Sequence, residues 1–194
     1  MILKESIEIL KKEINNYCTE NVAFRLLTRS DIFPLYQATL NTEFNSKLAW
    51  GPPAGISDVV EQGDLLLREM TSGQSIAVSL VEKNTGAWIG MNKFSIYKDG
   101  LINTIWIHPD YWAKPMVIFA TSSTIEVIFN TTDIEKIYAK HAIGYSKTEK
   151  LIKRNGFTYL YDEPVAHANG TEIMCKTYLL LKENWRKYTA VLEY

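Results

Sequence analysis

Leu3, Ile7, Leu10, Ile14 and Tyr17 recur every three or four residues, which predicts an amphipathic helix at the start of the chain. The preferred reading packs that stripe on the body of the same domain. A dimer helix is the alternative, although about two heptads are short for a coiled coil. The pattern then changes. "NVAFRLLT" (21–28) reads as a first strand, and Ser30 or Asp31 is placed to cap a helix running to about Phe44. "AWGPPAG" (49–55) is a loop by its Pro and Gly content. Ser57 or Asp58 caps a second helix, with Val59, Leu66 and Met70 facing inward.

"SIAVSLVEK" (75–83), "NTG" and "AWIGMNKFSIY" (87–97) predict a hairpin, and "KDG" turns into a third strand, "LINTIWIHP" (101–109). The helix after "HPDYWAKPMV" (108–117) runs to about Asn130. A strand (135–142) and a helix (146–154) follow, the helix stopped by Gly156 in a left-handed conformation. "FTYLYDEP" and "TEIMCKTYLLLK" are two more strands, and "ENWRKYTAVLEY" is a helical tail. Antiparallel hairpins thus mix with helical crossovers, so the class is α+β, or α/β with a mixed sheet. No repeat or linker divides the chain. One domain is expected over 1–194: an extra N-terminal helix (1–20), a core (22–181) and a C-terminal tail (182–194).

Of the 194 residues 46% are apolar and 22% charged, enough for a sizeable core. The net charge of −1 argues against a strongly electrostatic nucleic-acid binder. Cys18 and Cys175 lie far apart with no CxxC, and read as reduced, buried thiols of a cytoplasmic protein. His108, His141 and His167 do not stand at metal-ligand spacing, so no zinc site is expected. Lys and Glu interrupt the first apolar run, so it is not a signal peptide, and no window has the ~20 apolar residues of a membrane span. Neither a nucleic-acid nor a membrane partner is expected.

"HPDYWAKPMV" joins a strand to a helix, a place where unpaired helical N–H groups bind phosphate. With its neighbours it resembles the GNAT N-acetyltransferases, and most nearly their RimJ/RimL-like branch, named for ribosomal-protein N-terminal acetyltransferases. Four joints carry the likeness, over about 22–181: Arg25 followed by "LLTRSDIFPLY", the hairpin "GAWIGMNKF", "HPDYWAKPMV" at the family's Gly-containing cofactor loop, and "YSKTEKLIKRNGF". The resemblance implies the acyl-CoA N-acyltransferase fold, a central mixed, mostly antiparallel sheet flanked by helices. It also implies transfer of an acetyl group from acetyl-CoA to a primary amine by direct attack. The acceptor is a protein N-terminus or a small amine, and a homodimer stays open.

The family pattern carries residue roles with it. The pantetheine arm of acetyl-CoA lies along the main chain of "TIWI", here Ile105, Trp106 and Ile107. The pyrophosphate meets the loop Trp112, Ala113, Lys114, Pro115, Met116 and Val117. Ala113 and Pro115 stand at the family's glycine positions. Pro115 removes one N–H, while those of Ala113, Lys114, Met116 and Val117 remain, and the Lys114 side chain adds charge. Tyr145 stands where the family has an Asn that holds the arm, with Ser146 adjacent. Thr148 matches the branch's thiolate proton donor, whereas Ile152 replaces the Tyr used by many relatives. Ungapped counting from Phe157 puts His167 at the base position, a suitable group near neutral pH. Glu163 and Glu172 are the other bases, His108 is structural and His141 has no assigned role. Tyr36, Phe44, Trp50 and Tyr161 line the acceptor pocket. Because three motif positions depart from the pattern, the other reading is a chain of this fold that no longer acetylates and works by binding a partner.

Overall fold

The computed structural model describes residues 2–40, 53, 55–112, 114–166 and 172–185. The helix α1 (Ile2–Glu13) opens the chain, followed by β1 (Val22–Leu26), α2 (Ile32–Thr39) and α3 (Ile56–Thr71). Three antiparallel strands come next: β2 (Ser75–Glu82), β3 (Trp88–Tyr97) and β4 (Gly100–Ile107). Then α4 (Pro115–Thr131), β5 (Lys136–Ala142), α5 (Ser146–Arg154), β6 (Thr158–Ala166) and β7 (Glu172–Leu181) complete the order expected from the sequence. Residues 182–185 are helical, and the remainder of the expected tail lies outside the described residues.

The seven strands form one sheet in the order β1-β2-β3-β4-β5-β7-β6. Only β4 and β5 are parallel, as a crossover through α4 requires. Alternate residues face opposite sides. Leu101, Ile107, Ile137 and Tyr178 join α1 and α4 in one core. Ala77, Met91 and Trp106 join α2 and α3 in the other.

The first helix takes the preferred role. Ile7, Leu10 and Ile14 are buried in the α4-side core. Each such burial is worth roughly 1.5–3 kcal/mol. That outweighs the surface pair Lys11–Glu8 on the same helix, of a kind worth a few tenths of a kcal/mol. The helix ends at Glu13, and Ile14–Asn16 tighten into a 3₁₀ turn.

Two helix starts differ from expectation. Thr28 begins a 3₁₀ turn at Arg29–Asp31 that leads into α2, closed by a Thr28–Asp31 capping box. Asp31 makes no side-chain cap to α2, because its carboxylate is engaged elsewhere. Gly55, not Ser57 or Asp58, is the N-cap of α3, and both of those residues lie in its first turn. Gly156 has φ +86, the left-handed stop expected after α5. Gly90 in "GAWIG" has a packing cause: a Cβ there would overlap the Trp106 carbonyl oxygen of β4.

The Asp31 carboxylate sits almost fully buried. Arg25 grips both its oxygens at 2.6 Å, and the Thr28 N–H (2.8 Å) and Ser79 hydroxyl (2.9 Å) also donate to it. This is the physical content of the first motif. Burial pushes the carboxyl up, but the Arg25, Thr28 and Ser79 hydrogen bonds prevail and hold it below the usual range. A depressed native value stabilises the fold above the unfolded value near 3.9, and that stability is lost as pH falls through the native one. Asp31→Ala removes the shared acceptor of Arg25, Thr28 and Ser79 and, with Arg25 partly exposed, is expected to cost about 1.5–3 kcal/mol at pH 7. Urea denaturation at pH 7 and pH 3 checks both statements: the wild-type–variant gap should narrow in acid.

Candidate active site

β4 pairs with β3 over its whole length, from Tyr97↔Gly100 to Gly90↔Ile107. Its pairing with β5 stops after Leu101↔Ile137, Ile102↔Tyr138 and Asn103↔Ala139. Beyond Asn103 the two strands part, and a wedge opens between Thr104–Ile107 and Lys140–Ala142.

The His108 N–H bonds the Ile89 carbonyl at 2.8 Å. Alternation along an antiparallel ladder then turns the main chain of Trp106 toward β3, and that of Ile105 and Ile107 into the wedge. So Ile105 and Ile107 present hydrogen-bonding edges there, while Trp106 does not and is buried among α2 and α3. The indole of Trp112 donates to the Ile107 carbonyl at 2.9 Å, fixing the mouth. At the apex, Asn92 donates to Thr124 of α4 at 2.6 Å and Asn103 donates to Asn92. Both asparagines are buried and satisfied, as polar groups must be there.

The loop at the wedge mouth turns two of the expected N–H groups back onto its own carbonyls. His108 and Pro109 leave the strand, and Pro109–Tyr111 form a 3₁₀ turn. His108 accepts the Asp110 N–H, a structural role. Pro115 is the first residue of α4. The Lys114 N–H is turned to the Tyr111 carbonyl (3.3 Å) and that of Val117 to the Lys114 carbonyl (3.1 Å). Ala113 lies outside the described residues. Lys114 does not reach over the helix start: its Nζ stacks on the Tyr111 ring at 4.2 Å. Tyr111 in turn donates to Glu82 at 3.1 Å.

On the α5 side, Thr148 is exposed one turn before the buried Ile152, on the same stripe of the helix. Tyr145 is the N-cap residue of α5 and is half-buried. His141 is buried, stacked on Tyr178 and within 3.2 Å of its hydroxyl. A separate concavity of about 430 Å³ lies under α5, and its Lys153 and Lys176 are both engaged by Glu149.

The opposite face of the sheet holds the second half of the site. Tyr36 packs beside the α2–α3 core. α2 and α3 cover the β2 side of this face, and past Tyr138 the side chains of Lys140, Tyr161 and Glu163 keep some exposure while Thr177 and Cys175 are buried. Lys140 sits one residue beyond the apex. It pairs with Glu163 of β6 at 3.0 Å, and Thr177 of β7 donates to the same carboxylate at 2.6 Å. Thr177 first, then Lys140, hold the Glu163 carboxyl below its usual range. Tyr161 stands exposed in the adjoining row. Glu172 is exposed at the end of the β6–β7 hairpin, away from the apex. His167, Phe44 and Trp50 lie outside the described residues. Of the two thiols expected to be buried, Cys175 is and Cys18 is exposed.

Residues 21–158 match the family described as the acetyltransferase (GNAT) domain, most of the chain. The chain belongs to the GNAT acetyltransferases. No curated protein sequence matches it significantly. Among solved structures, it is similar to a spermidine N-acetyltransferase from Vibrio cholerae in complex with CoA and spermine. The TM-score is 0.72 at 16% identity, over 87% of this chain and 99% of the other. It is also similar to a ribosomal-protein-S5-alanine acetyltransferase from Vibrio fischeri, with TM-score 0.69 at 17% identity over 87% and 97%. At these identities the likeness shows the fold. Acetyl-CoA is the typical cosubstrate of GNAT acetyltransferases, and the main-chain edge of Ile105 and Ile107 fits an amide-bearing arm laid along a strand.

In this GNAT acetyltransferase Pro115 leaves the first residue of α4 without an N–H. Pro115→Gly restores an N–H at the helix start. One charge-assisted hydrogen bond is worth roughly 1.5–3 kcal/mol, less the cost of a more flexible helix start. Affinity for acetyl-CoA is expected to rise about fivefold or more, read by calorimetry. Unchanged affinity would mean that the pyrophosphate does not contact this turn.

Proposed function

We propose that the chain acetylates a primary amine by direct attack on the acetyl-CoA thioester, the amine entering on the face that carries Glu163. The observation behind this is the limit of β4–β5 pairing at Asn103 and Ala139. It leaves a strand edge unpaired beyond the apex, with the Glu163 carboxylate beside the apex on the other face.

In this reading acetyl-CoA supplies the acetyl group, its arm held by the main chain of Ile105 and Ile107 and its phosphates near Lys114–Val117. Glu163 draws the acceptor ammonium toward the apex. Its low proton affinity suits anchoring, with the proton leaving through water to His167 or solvent. As the new C–N bond forms and the C–S bond breaks, the Thr148 hydroxyl donates to the departing sulfur. No cysteine is needed: Cys175 beside Glu163 is buried, which raises its thiol and disfavours a covalent acetyl intermediate. The acceptor is a protein N-terminal amine, as in the RimJ/RimL-like branch, or a small amine. The named relatives include one of each kind. Operation in the cytoplasm is supported by two unbridged thiols. Among the described residues no helix is long and apolar enough to cross a membrane.

Saturating acetyl-CoA is expected to raise the melting temperature by roughly 5–10 °C, as a ligand at 100 times its Kd should for a chain of this size. No shift at millimolar acetyl-CoA would sink the enzyme reading and favour the partner-binding one. Glu163→Gln and Thr148→Ala are each expected to lower kcat by about tenfold or more at similar acetyl-CoA affinity. Full turnover in Glu163→Gln with loss in His167→Ala would move the amine-side role to His167.

A further inference from the structure

The accessible face carries one charge that acetyl transfer leaves unused. A two-residue turn, Lys98–Asp99, joins β3 to β4 between the paired Tyr97 and Gly100. Lys98 has φ +49 and is the one non-glycine residue with positive φ among those described. Hairpin turns fill such positions with Gly, Asn or Asp, and a Cβ there costs about 1–2 kcal/mol. An outlier of this kind persists when its surroundings hold it, and it points to a use for the side chain.

Those surroundings are aromatic. Lys98 Nζ donates to the Tyr161 hydroxyl at 2.7 Å. It lies 5.2, 5.8 and 5.4 Å from the ring centroids of Tyr97, Tyr138 and Tyr161. Three rings that would receive an ammonium ion are thus already filled by the chain's own. The neighbouring cations are matched: Lys136 with Asp99 at 2.5 Å, Lys140 with Glu163 at 3.0 Å. Lys98 makes no direct ion pair with a carboxylate among the described residues, although its charge acts on Glu163, and it is exposed. Lys140 Nζ sits over the same Tyr97 ring at 4.6 Å. Both ammonium groups are therefore close enough for one small acceptor to touch both, beside the wedge apex.

We propose that the acceptor carries a carboxylate as well as its primary amine, and that Lys98 selects it. The proposal rests on the acceptor-face reading above. An ammonium has three donors; Tyr161 and Tyr97 engage two of them, so one remains for an anion. The rings hold the side chain in place, so little rotamer freedom is lost on binding. A polyamine, by contrast, would bring a second ammonium against a box already occupied by one.

Initial-rate kinetics on matched acceptors test this. One pair is the C-terminally amidated dipeptides Gly-Glu and Gly-Gln. The other is β-alanine and β-alaninamide. Wild type is expected to favour the acid about tenfold or more in kcat/KM in at least one pair, the yield of one charge-assisted contact. The pair that shows it tells a peptide acceptor from a free amino acid. Lys98→Gly relieves the turn and removes the ammonium. It should bring the ratio to within about twofold through KM, with turnover on the amide kept, whereas Lys98→Arg retains the preference. A merely structural Lys98 would instead lower rates on acid and amide alike. A wild type that prefers neither acid, or turns over neither, overturns the proposal, as does a preference that survives in Lys98→Gly. Glu163→Gln separates the two readings. If it slows no acceptor, the acceptor face itself is wrong. If it slows all of them while Lys98→Gly leaves the ratio unchanged, only the role of Lys98 fails.

Discussion

Beyond Asn103, β4 has one partner strand where a central strand has two. Main-chain N–H and C=O groups demand partners, so a sheet does not split without cause. Here α4 supplies the cause. It leaves the end of β4 and returns to the start of β5, and the buried Asn103–Asn92–Thr124 chain ties the apex to it. At the other end the strands are pressed together: a Cβ on Gly100 would strike the Lys136 carbonyl. Close approach below and separation above give the wedge its shape. The exposed edge of Ile105 and Ile107 then calls for something strand-like, which an arm containing amide groups can imitate.

The two faces of the wedge divide the chemistry. One is crowded with helices, and its polar groups serve the scaffold: Asn155 bridges α5 to Thr121 and Ser122 of α4, and His141 is stacked on Tyr178. The other is sparsely covered past Tyr138 and holds charge at its surface. Arg25 and Asp31 anchor α2 on that face, so the covering helices are fixed to β1 and β2, and the strands from β5 outward are left accessible. One ion pair with a buried carboxylate thereby helps set which strands the helices cover.

Element order, the inward residues of α1 and α3, and the stop at Gly156 were legible because each follows from local period or local φ/ψ preference. The motif "GAWIG" was legible as a pattern, and its cause, the contact of Gly90 with Trp106, is a neighbouring strand. What the sequence concealed is mostly pairing. Ile105, Trp106 and Ile107 look equivalent in a row, and only the register with β3 removes Trp106 from the wedge. Lys114 reads as a phosphate ligand, and the sequence does not show that its ammonium lies over the Tyr111 ring. The cap of α3 fell to Gly55 although Ser57 and Asp58 have better capping chemistry. Lys98 was hidden in "KDG", an ordinary turn signal. A lysine at a glycine-like turn position was the available clue, but the three rings around it come from β3, β5 and β6.

The first helix has a consequence in time. Its buried stripe of Ile7, Leu10 and Ile14 packs against a core that includes α4, which ends at Thr131. At synthesis rates of ~5–20 residues per second, α1 leaves the ribosome on the order of ten seconds before its docking surface is complete. During that interval the stripe has only its partners on β1 and β2, and the part that α4 will cover stays open. α1 therefore completes its packing only after α4 is made, and a chain stalled before α4 would leave part of its apolar stripe uncovered.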